Sequence, residues 1–263
     1  MDQHRPATPY LTSRPAAGGR LRLFCFHHAG GSASAFHALR RALEPRIEVI
    51  GVQLPGREAR IRHPLPQDMA RLVAEVDEHL DPYLDGTYAC YGHSMGALVA
   101  HDLVARRQAR GARLPVRLVA GACRAPHLVP AFVGAHAESD DILVRTMLDI
   151  GGMSPELLNH PDWLRSAVSL TRRDLRLCAS RDTALGAPLA CPIEVFHGTA
   201  DPLVSERDAR AWTGRSAAGC TLHPFEGGHF FFLRESRERF PARLAEVLGG
   251  LVPYEAGDLV SGA

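Results

Sequence analysis

The segment from Tyr88 to Arg107 restricts the fold more than any other part of the chain. Residues 88–91 are apolar and strand-like, Gly92-His93-Ser94-Met95-Gly96 follows, and residues 97–107 have helical spacing. At such a strand-to-helix turn the serine hydroxyl projects beyond the sheet, and side chains at positions 92 and 96 would collide with neighbouring backbone. The adjacent helix N-terminus also favours developing negative charge. The pattern predicts that Ser94 is a nucleophile.

Apolar runs and helical patterns alternate along the rest of the chain. Strand patterns occupy residues 21–26, 47–52, 87–91, 116–122, 192–197 and 221–224, and helical patterns occupy 35–43, 68–84, 95–107, 206–212 and 235–248. This alternation predicts an α/β fold with a mostly parallel central sheet and helices on both faces. Between about 131 and 187 only helical patterns occur, at 142–150 and 163–177. With the Ser94 turn, the order predicts the α/β-hydrolase fold with a helical lid insertion.

The length of 263 residues suits one domain with such an insertion. We predict a domain over 20–250, with the lid inserted at about 131–187. Residues 1–19 lack the apolar core of a signal peptide and are predicted to be a disordered lead-in, and 251–263 a flexible tail. No apolar stretch is long enough to span a membrane, and we expect a cytoplasmic protein.

Charge and composition exclude several functions. The formal net charge of +1 argues against binding to nucleic acid or to an anionic membrane. All 30 basic residues are arginine, which excludes a lysine Schiff base. The six cysteines show no C-x-x-C spacing and are predicted to be buried free thiols. His27 and His28 have no third metal ligand at useful spacing, so we expect no metal and no other cofactor. We also expect a monomer.

A serine hydroxyl needs a base to take its proton. His229 follows two glycines after the last predicted strand, where the base stands in the chain order of this fold. His93 is an alternative, but neighbouring side chains at such a turn diverge, and we expect it to pack or to shape the pocket. Asp201, just after the fifth predicted strand, is expected to orient His229. The end of the preceding strand, residues 121–126, carries no carboxylate that could replace it.

Acyl transfer also requires an oxyanion hole, which is built from backbone N–H groups. One N–H is expected from Met95, the residue after the nucleophile. The other is expected from the loop after the first strand, which reads His27-His28-Ala29-Gly30-Gly31-Ser32. Its glycines allow close approach of the backbone to a ligand, and Ala29 is the candidate donor. These groups complete the predicted machinery of a serine hydrolase.

Motifs beyond the Ser94 turn narrow the class of hydrolase. They read FHHAGGSASAF at 26–36, VQLPGREAR at 52–60, YGHSMGAL at 91–98, CRAPH at 123–127 and GGHFFF at 227–232. In the insertion they read Asp140-Asp141, LDIGGM at 148–153, PELL at 155–158 and Arg172-Arg173-Asp174. From about 21 to 248 the chain resembles the type II thioesterases, the free-standing editing hydrolases of polyketide and nonribosomal peptide synthases. His27 departs from the family, which usually has Pro or Tyr there.

The resemblance implies a specific reaction. The substrate would be a misprimed or stalled short acyl group on the phosphopantetheine thiol of an acyl- or peptidyl-carrier protein, the implied partner. Ser94 would attack the thioester, His229 would take its proton, and water would then release the acid from an acyl-serine. Apolar lid residues would line an acyl chamber, and the candidates are Met147, Leu148, Leu157 and Leu158.

Three alternatives stay open. A carboxylesterase or lipase acting on free small esters shares every argument about Ser94. A chain-releasing or cyclising thioesterase domain cut from a synthase is a second alternative, and the position of Asp201 argues against it. The third is a binding protein on an inactive hydrolase scaffold. Such proteins usually lack one catalytic side chain, whereas all three are present here.

Overall fold

A computed structural model describes residues 8–16, 20–130, 134, 139–184 and 186–249. The predicted tail at 251–263 and residues 1–7 and 17–19 of the predicted lead-in lie outside the described residues, as do 131–133, 135–138 and 185 of the insertion.

Within the described residues, six parallel strands form one sheet in the order β2-β1-β3-β4-β5-β6. They are β1 (Leu21–Phe26), β2 (Ile47–Val52), β3 (Tyr88–His93), β4 (Arg117–Gly121), β5 (Ile193–Gly198) and β6 (Cys220–Phe225). Phe24 shows the register, because it pairs with Ile50 on one side and Cys90 on the other. The strands read as nearly continuous apolar runs because both faces of a parallel sheet are covered.

The α-helices of the described residues cover both faces of this sheet. They are α1 (His37–Leu43), α2 (Met69–Leu80), α3 (Met95–Ala109), α4 (Asp140–Asp149), α5 (Pro161–Ala179), α6 (Glu206–Arg210) and α7 (Arg239–Gly249). Apolar side chains of α2 and α3 pack with Phe24 on one face, and those of α1 and α7 pack with Leu23 and Cys25 on the other. Side chains alternate between the two faces along each strand, so β1 contributes to both cores. The predicted α/β-hydrolase fold is confirmed.

Helices α4 and α5 lie between β4 and β5 in the chain, inside the predicted insertion. They share a small apolar core of their own, which contains Leu143, Met147 and Leu175. Ser139 caps α4 by accepting a hydrogen bond from the Ile142 N–H at 3.4 Å. Among the described residues, no helix combines the length and the hydrophobicity of a transmembrane segment.

The prediction of a disordered lead-in is wrong for residues 8–16. Tyr10 is fully buried, and its hydroxyl donates to Glu75 at 2.9 Å. The Arg60 guanidinium lies 3.8 Å from the centre of the Tyr10 ring. Leu11 is also buried and forms an antiparallel bridge with Val52 at the edge of the sheet. Two apolar side chains fix this stretch, although its proline, arginine and threonine content resembles that of a disordered segment.

Candidate active site

Ser94 occupies a strained turn between β3 and α3. Its backbone has φ 55° and ψ −118°, which is uncommon for a residue with a side chain. A Cβ at position 92 would lie 2.2 Å from the Gly96 carbonyl oxygen, and one at position 96 would lie 2.0 Å from that of Phe26. Both glycines are therefore required sterically. The Ser94 N–H donates to the Gly121 carbonyl at 2.8 Å, which ties the turn to the end of β4.

Asp201 and His229 meet at the edge of the sheet where the strands end. Asp201 follows β5 and His229 follows β6, and the His229 Nδ1–H donates to Asp201 Oδ2 at 2.8 Å. The two side chains are 4% and 0% exposed. The other carboxylate oxygen accepts from the Leu203 N–H at 2.9 Å, which fixes its orientation. The bond to Asp201 holds the His229 imidazole in the tautomer that leaves Nε2 free to act as a base. His229 lines the same cavity as Ser94.

His93, the alternative base, has both ring nitrogens engaged. Nε2 lies 2.9 Å from the His229 carbonyl oxygen, and Nδ1 lies 2.9 Å from the Tyr91 hydroxyl. A carbonyl only accepts, so Nε2 carries the proton and Nδ1 accepts from the tyrosine. Burial, and then the nearby His229 and His28, lower the pKa of His93 well below its usual range, so the ring is neutral. His93 supports the loop that carries His229, in a contact that the sequence did not indicate.

The loop after β1 lies against Ser94, as predicted for the oxyanion hole. Ala29 and Met95 both line the cavity that contains Ser94. The Gly30 N–H is already used, because it donates to Asp174 Oδ2 at 2.8 Å. In the part of the chain that the structure describes, neither the Ala29 N–H nor the Met95 N–H has an acceptor. These two amides are therefore available to an oxygen atom of a ligand.

A buried ion pair holds this loop against the lid. Arg57 donates from both terminal nitrogens to the two carboxylate oxygens of Asp174 on α5, each at 2.7 Å. The side chains are 3% and 0% exposed. Arg57 also donates to the Gly31 carbonyl at 3.2 Å, and Asp174 accepts from the Gly30 N–H. Both residues lie in motifs that resemble the family, but the sequence did not reveal their contact. Both lie in segments rich in charged residues, PGREAR and TRRDLR, so neither stood out in the sequence as a buried charge.

Ser94 and His229 face a small cavity of about 60 Å³, called the Ser94 cavity below. The sheet edge, α3 and the lid supply its mainly apolar walls, which include Leu98, Ala122, Leu128, Ile150, Leu175 and Val204. His28 also lines this cavity and packs against Phe230, with 4.7 Å between the ring centres. Burial, with smaller effects of His229 and Arg57, lowers the pKa of His28 to about 3. His28 therefore stays neutral next to His229.

Of the four lid residues predicted to line an acyl chamber, Met147 lines the Ser94 cavity and the other three do not. Leu148 and Leu157 pack against the apolar core of the lid instead, and Leu158 is 48% exposed. The prediction is wrong for these three because apolar character alone does not show which side of a helix faces the cavity. Met147 points inward on α4, and its neighbour Leu148 lies about 100° further round the helix. Four other lid residues line the cavity: Ile150, Thr171, Leu175 and Cys178.

The sheet order, the strained serine turn and the acid–base pair at the strand ends define a hydrolase of the α/β-hydrolase fold. A family model described as "Thioesterase domain" matches residues 21–247. The chain belongs to this thioesterase family.

Individual relatives support this assignment. A probable cadicidin biosynthesis thioesterase from Streptomyces griseus is 34% identical over 217 residues, which are 82% of this chain and 60% of that protein. RedJ, a thioesterase from the prodiginine pathway of Streptomyces coelicolor, is 33% identical with a TM-score of 0.81, covering 92% of this chain and 96% of RedJ. BorB, the type II thioesterase from the borrelidin cluster, is 33% identical with a TM-score of 0.76, covering 90% and 94%. The resemblance to type II thioesterases that the motifs indicated is confirmed.

Proposed function

We propose that this protein is a stand-alone type II thioesterase. It removes short acyl groups, misprimed or stalled, from the phosphopantetheine thiol of acyl- or peptidyl-carrier proteins in polyketide or nonribosomal peptide biosynthesis. One observation carries the proposal: Ser94, His229 and the amides of Ala29 and Met95 all line one mainly apolar cavity beneath the lid. Membership of the thioesterase family supports the choice of a thioester as substrate.

Each group has a role in the proposed reaction. Ser94 Oγ attacks the thioester carbon, and His229 Nε2 takes the hydroxyl proton while Asp201 stabilises the imidazolium. The Ala29 and Met95 N–H groups stabilise the oxyanion, a contribution of about 100- to 1,000-fold in rate for one such donor. The pantetheine thiolate then leaves and receives the proton from His229. Water, activated by the same imidazole, attacks the acyl-serine and releases the acid.

The size of the Ser94 cavity favours short acyl groups. A single water needs roughly 10–15 Å³, so the cavity of about 60 Å³ holds about four to six groups of that size. Met147 and Leu175 of the lid face the acyl group, and residues 131–187 are proposed to form the lid as a whole. A monomeric state and a cytoplasmic location remain predictions from the sequence.

The proposal is tested by comparing kcat/KM on a propionyl-carrier thioester with kcat/KM on a matched oxygen ester. We expect clear preference for the carrier thioester and free acid as product. Ser94→Ala should lose the activity, whereas Ser34→Ala, which changes an exposed serine in the short 3-10 helix Ala33–Phe36, should retain it. Preference for the free ester would identify a carboxylesterase, and a cyclic product would identify a chain-releasing enzyme. Failure of a fluorophosphonate to label the wild-type protein would indicate an inactive scaffold.

A further inference from the structure

A second cavity lies next to the Ser94 cavity and has no part in the proposed mechanism. It is called the back cavity here, and its volume is about 560 Å³. Helices α2 and α3, the loop after β4 and the residues that follow α5 form its walls. These walls include apolar Met69, Val73 and Ala105, together with polar Asp102 and Arg181. The molecule thus has far more space beside the Ser94 cavity than the reaction of a short acyl group requires.

Three separate elements contribute walls to both cavities. On α3, Leu98 lines the Ser94 cavity and Asp102, one turn further along, lines the back cavity. At the end of α5, Cys178 lines the former and Arg181 the latter. In the loop after β4, Leu128 lines the Ser94 cavity, whereas Pro126 and His127 line the back cavity. The two cavities are therefore neighbours, and the back cavity lies on the far side from Ser94 along α3.

An ion pair in the wall of the back cavity joins these three elements. Arg181 donates from Nε to Asp102 Oδ2 and from Nη2 to Oδ1, each at 2.6 Å. The remaining terminal nitrogen of Arg181 donates to the Pro126 carbonyl. The two side chains are 7% and 21% exposed, so the pair is largely withdrawn from solvent. Breaking such a pair by removing one partner is costly, which makes it a firm wall rather than a mobile one.

The positive charge of Arg181 acts on two cysteine thiols that line the Ser94 cavity. Burial raises the pKa of the Cys123 thiol to about 12, and the Arg181 guanidinium opposes this rise. Burial also raises the pKa of the Cys178 thiol, again opposed by Arg181. Both cysteines line the Ser94 cavity, so the guanidinium lies close behind its wall. A longer acyl chain that pushed past these cysteines would meet a desolvated ion pair, and displacing the pair would be unfavourable.

We propose that the Arg181–Asp102 ion pair closes the far end of the Ser94 cavity and thereby sets the longest acyl chain that the enzyme hydrolyses. The inference rests on the proposed function and extends it to chain-length selection. Arg181 and Asp102, together called the partition below, act here as specificity-determining residues and touch neither the thioester nor His229. Behind them, the back cavity is the space that a longer chain would enter if the pair were absent.

The test measures kcat/KM for a series of acyl-phosphopantetheine thioesters from acetyl to decanoyl. Wild-type enzyme should favour acetyl to butyryl over decanoyl. The double variant Asp102→Ala/Arg181→Ala removes both charges together and joins the two cavities. It should raise the ratio of decanoyl to acetyl hydrolysis by about tenfold or more, because added methylenes gain an apolar site.

The double variant Asp102→Leu/Arg181→Met is the matched control. It removes the same charges but refills the partition with apolar side chains, and it should keep the wild-type length preference. Arg106→Ala changes a residue of the back cavity outside the partition and should also keep it. If the alanine and the leucine/methionine variants have the same length preference, the proposal is overturned. Wild-type enzyme that hydrolyses decanoyl as fast as acetyl thioesters overturns it without any variant.

The same series on p-nitrophenyl esters separates this proposal from the proposed function. It reports acyl length without any carrier or thiol leaving group. Suppose that the alanine variant gains long-chain activity on these esters while neither it nor the wild type hydrolyses carrier thioesters. The proposed function then fails and the partition stands. If carrier thioesters are hydrolysed and the alanine variant does not gain long-chain activity on either series, the partition fails and the proposed function stands.

Discussion

Replacing Asp174 with alanine is expected to lower the free energy of unfolding by about 3–5 kcal/mol. The change leaves the Arg57 guanidinium, 3% exposed, without its carboxylate partner. It also leaves the Gly30 N–H without an acceptor, a deficit of about 1–3 kcal/mol when such a group stays buried. Domains of this kind have about 5–15 kcal/mol of stability in total, so the variant should approach the limit of folding.

Urea unfolding followed by circular dichroism at neutral pH measures this difference. Arg165→Ala, on the exposed side of the same helix, is the control and should change the unfolding free energy by about 0–1 kcal/mol. The double variant Arg57→Met/Asp174→Leu replaces both buried charges with apolar side chains and should recover much of the lost stability.

The recovered double variant separates stability from catalysis. It still lacks the acceptor that holds Gly30, so the neighbouring Ala29 amide should be misplaced. A displacement of about 1 Å in a catalytic group costs about 100-fold in rate, and kcat should fall by that order while the protein remains folded. A stabilising role for the buried Arg57–Asp174 pair is refuted if Asp174→Ala changes the unfolding free energy by less than about 1 kcal/mol, as loss of a solvated surface pair would.

Three further predictions follow from the site. Asp201→Asn should lower kcat by up to about 10⁴-fold, by favouring the wrong tautomer of His229, with little loss of stability; a loss below tenfold in steady-state assays would contradict this role. His93→Phe keeps the ring but loses the bond to the His229 carbonyl, so kcat should fall by about 10- to 100-fold with KM unchanged, and an unchanged kcat would count against the support role. Burial lowers the pKa of His28 to about 3. As the pH falls, this imidazole therefore takes up a proton in the unfolded chain before it does so in the folded protein. Stability should therefore be full above about pH 6.5 and fall as the pH decreases towards 3, and His28→Gln should show a weaker fall in urea midpoint than wild type.

The central sheet could be predicted from the sequence because each strand is buried on both faces. Such strands appear as short apolar runs, and β1 and β2 have the predicted bounds. Asp201 and His229 could be predicted because residues at the ends of parallel strands meet at one edge of the sheet. The Ser94 turn was recognisable since two glycines are required there sterically.

The contacts that depend on packing could not be predicted in the same way. Which of Met147 and Leu148 faces the cavity depends on how α4 rotates against the sheet. Tyr10 was hidden in a segment of disordered composition, although it fills a site beside Arg60. The bond between Asp174 and Gly30 joins residues 144 positions apart, and no local pattern encodes it.

The most direct test of the account is to locate the acyl group on the enzyme during turnover. The enzyme is mixed with a propionyl-carrier thioester, quenched rapidly in acid, digested, and examined by mass spectrometry. We expect the propionyl group on Ser94 and no such adduct in Ser94→Ala, whose hydrolysis of the thioester should also be lost. Propionyl found on another side chain, or thioester hydrolysis retained by Ser94→Ala, would contradict the account.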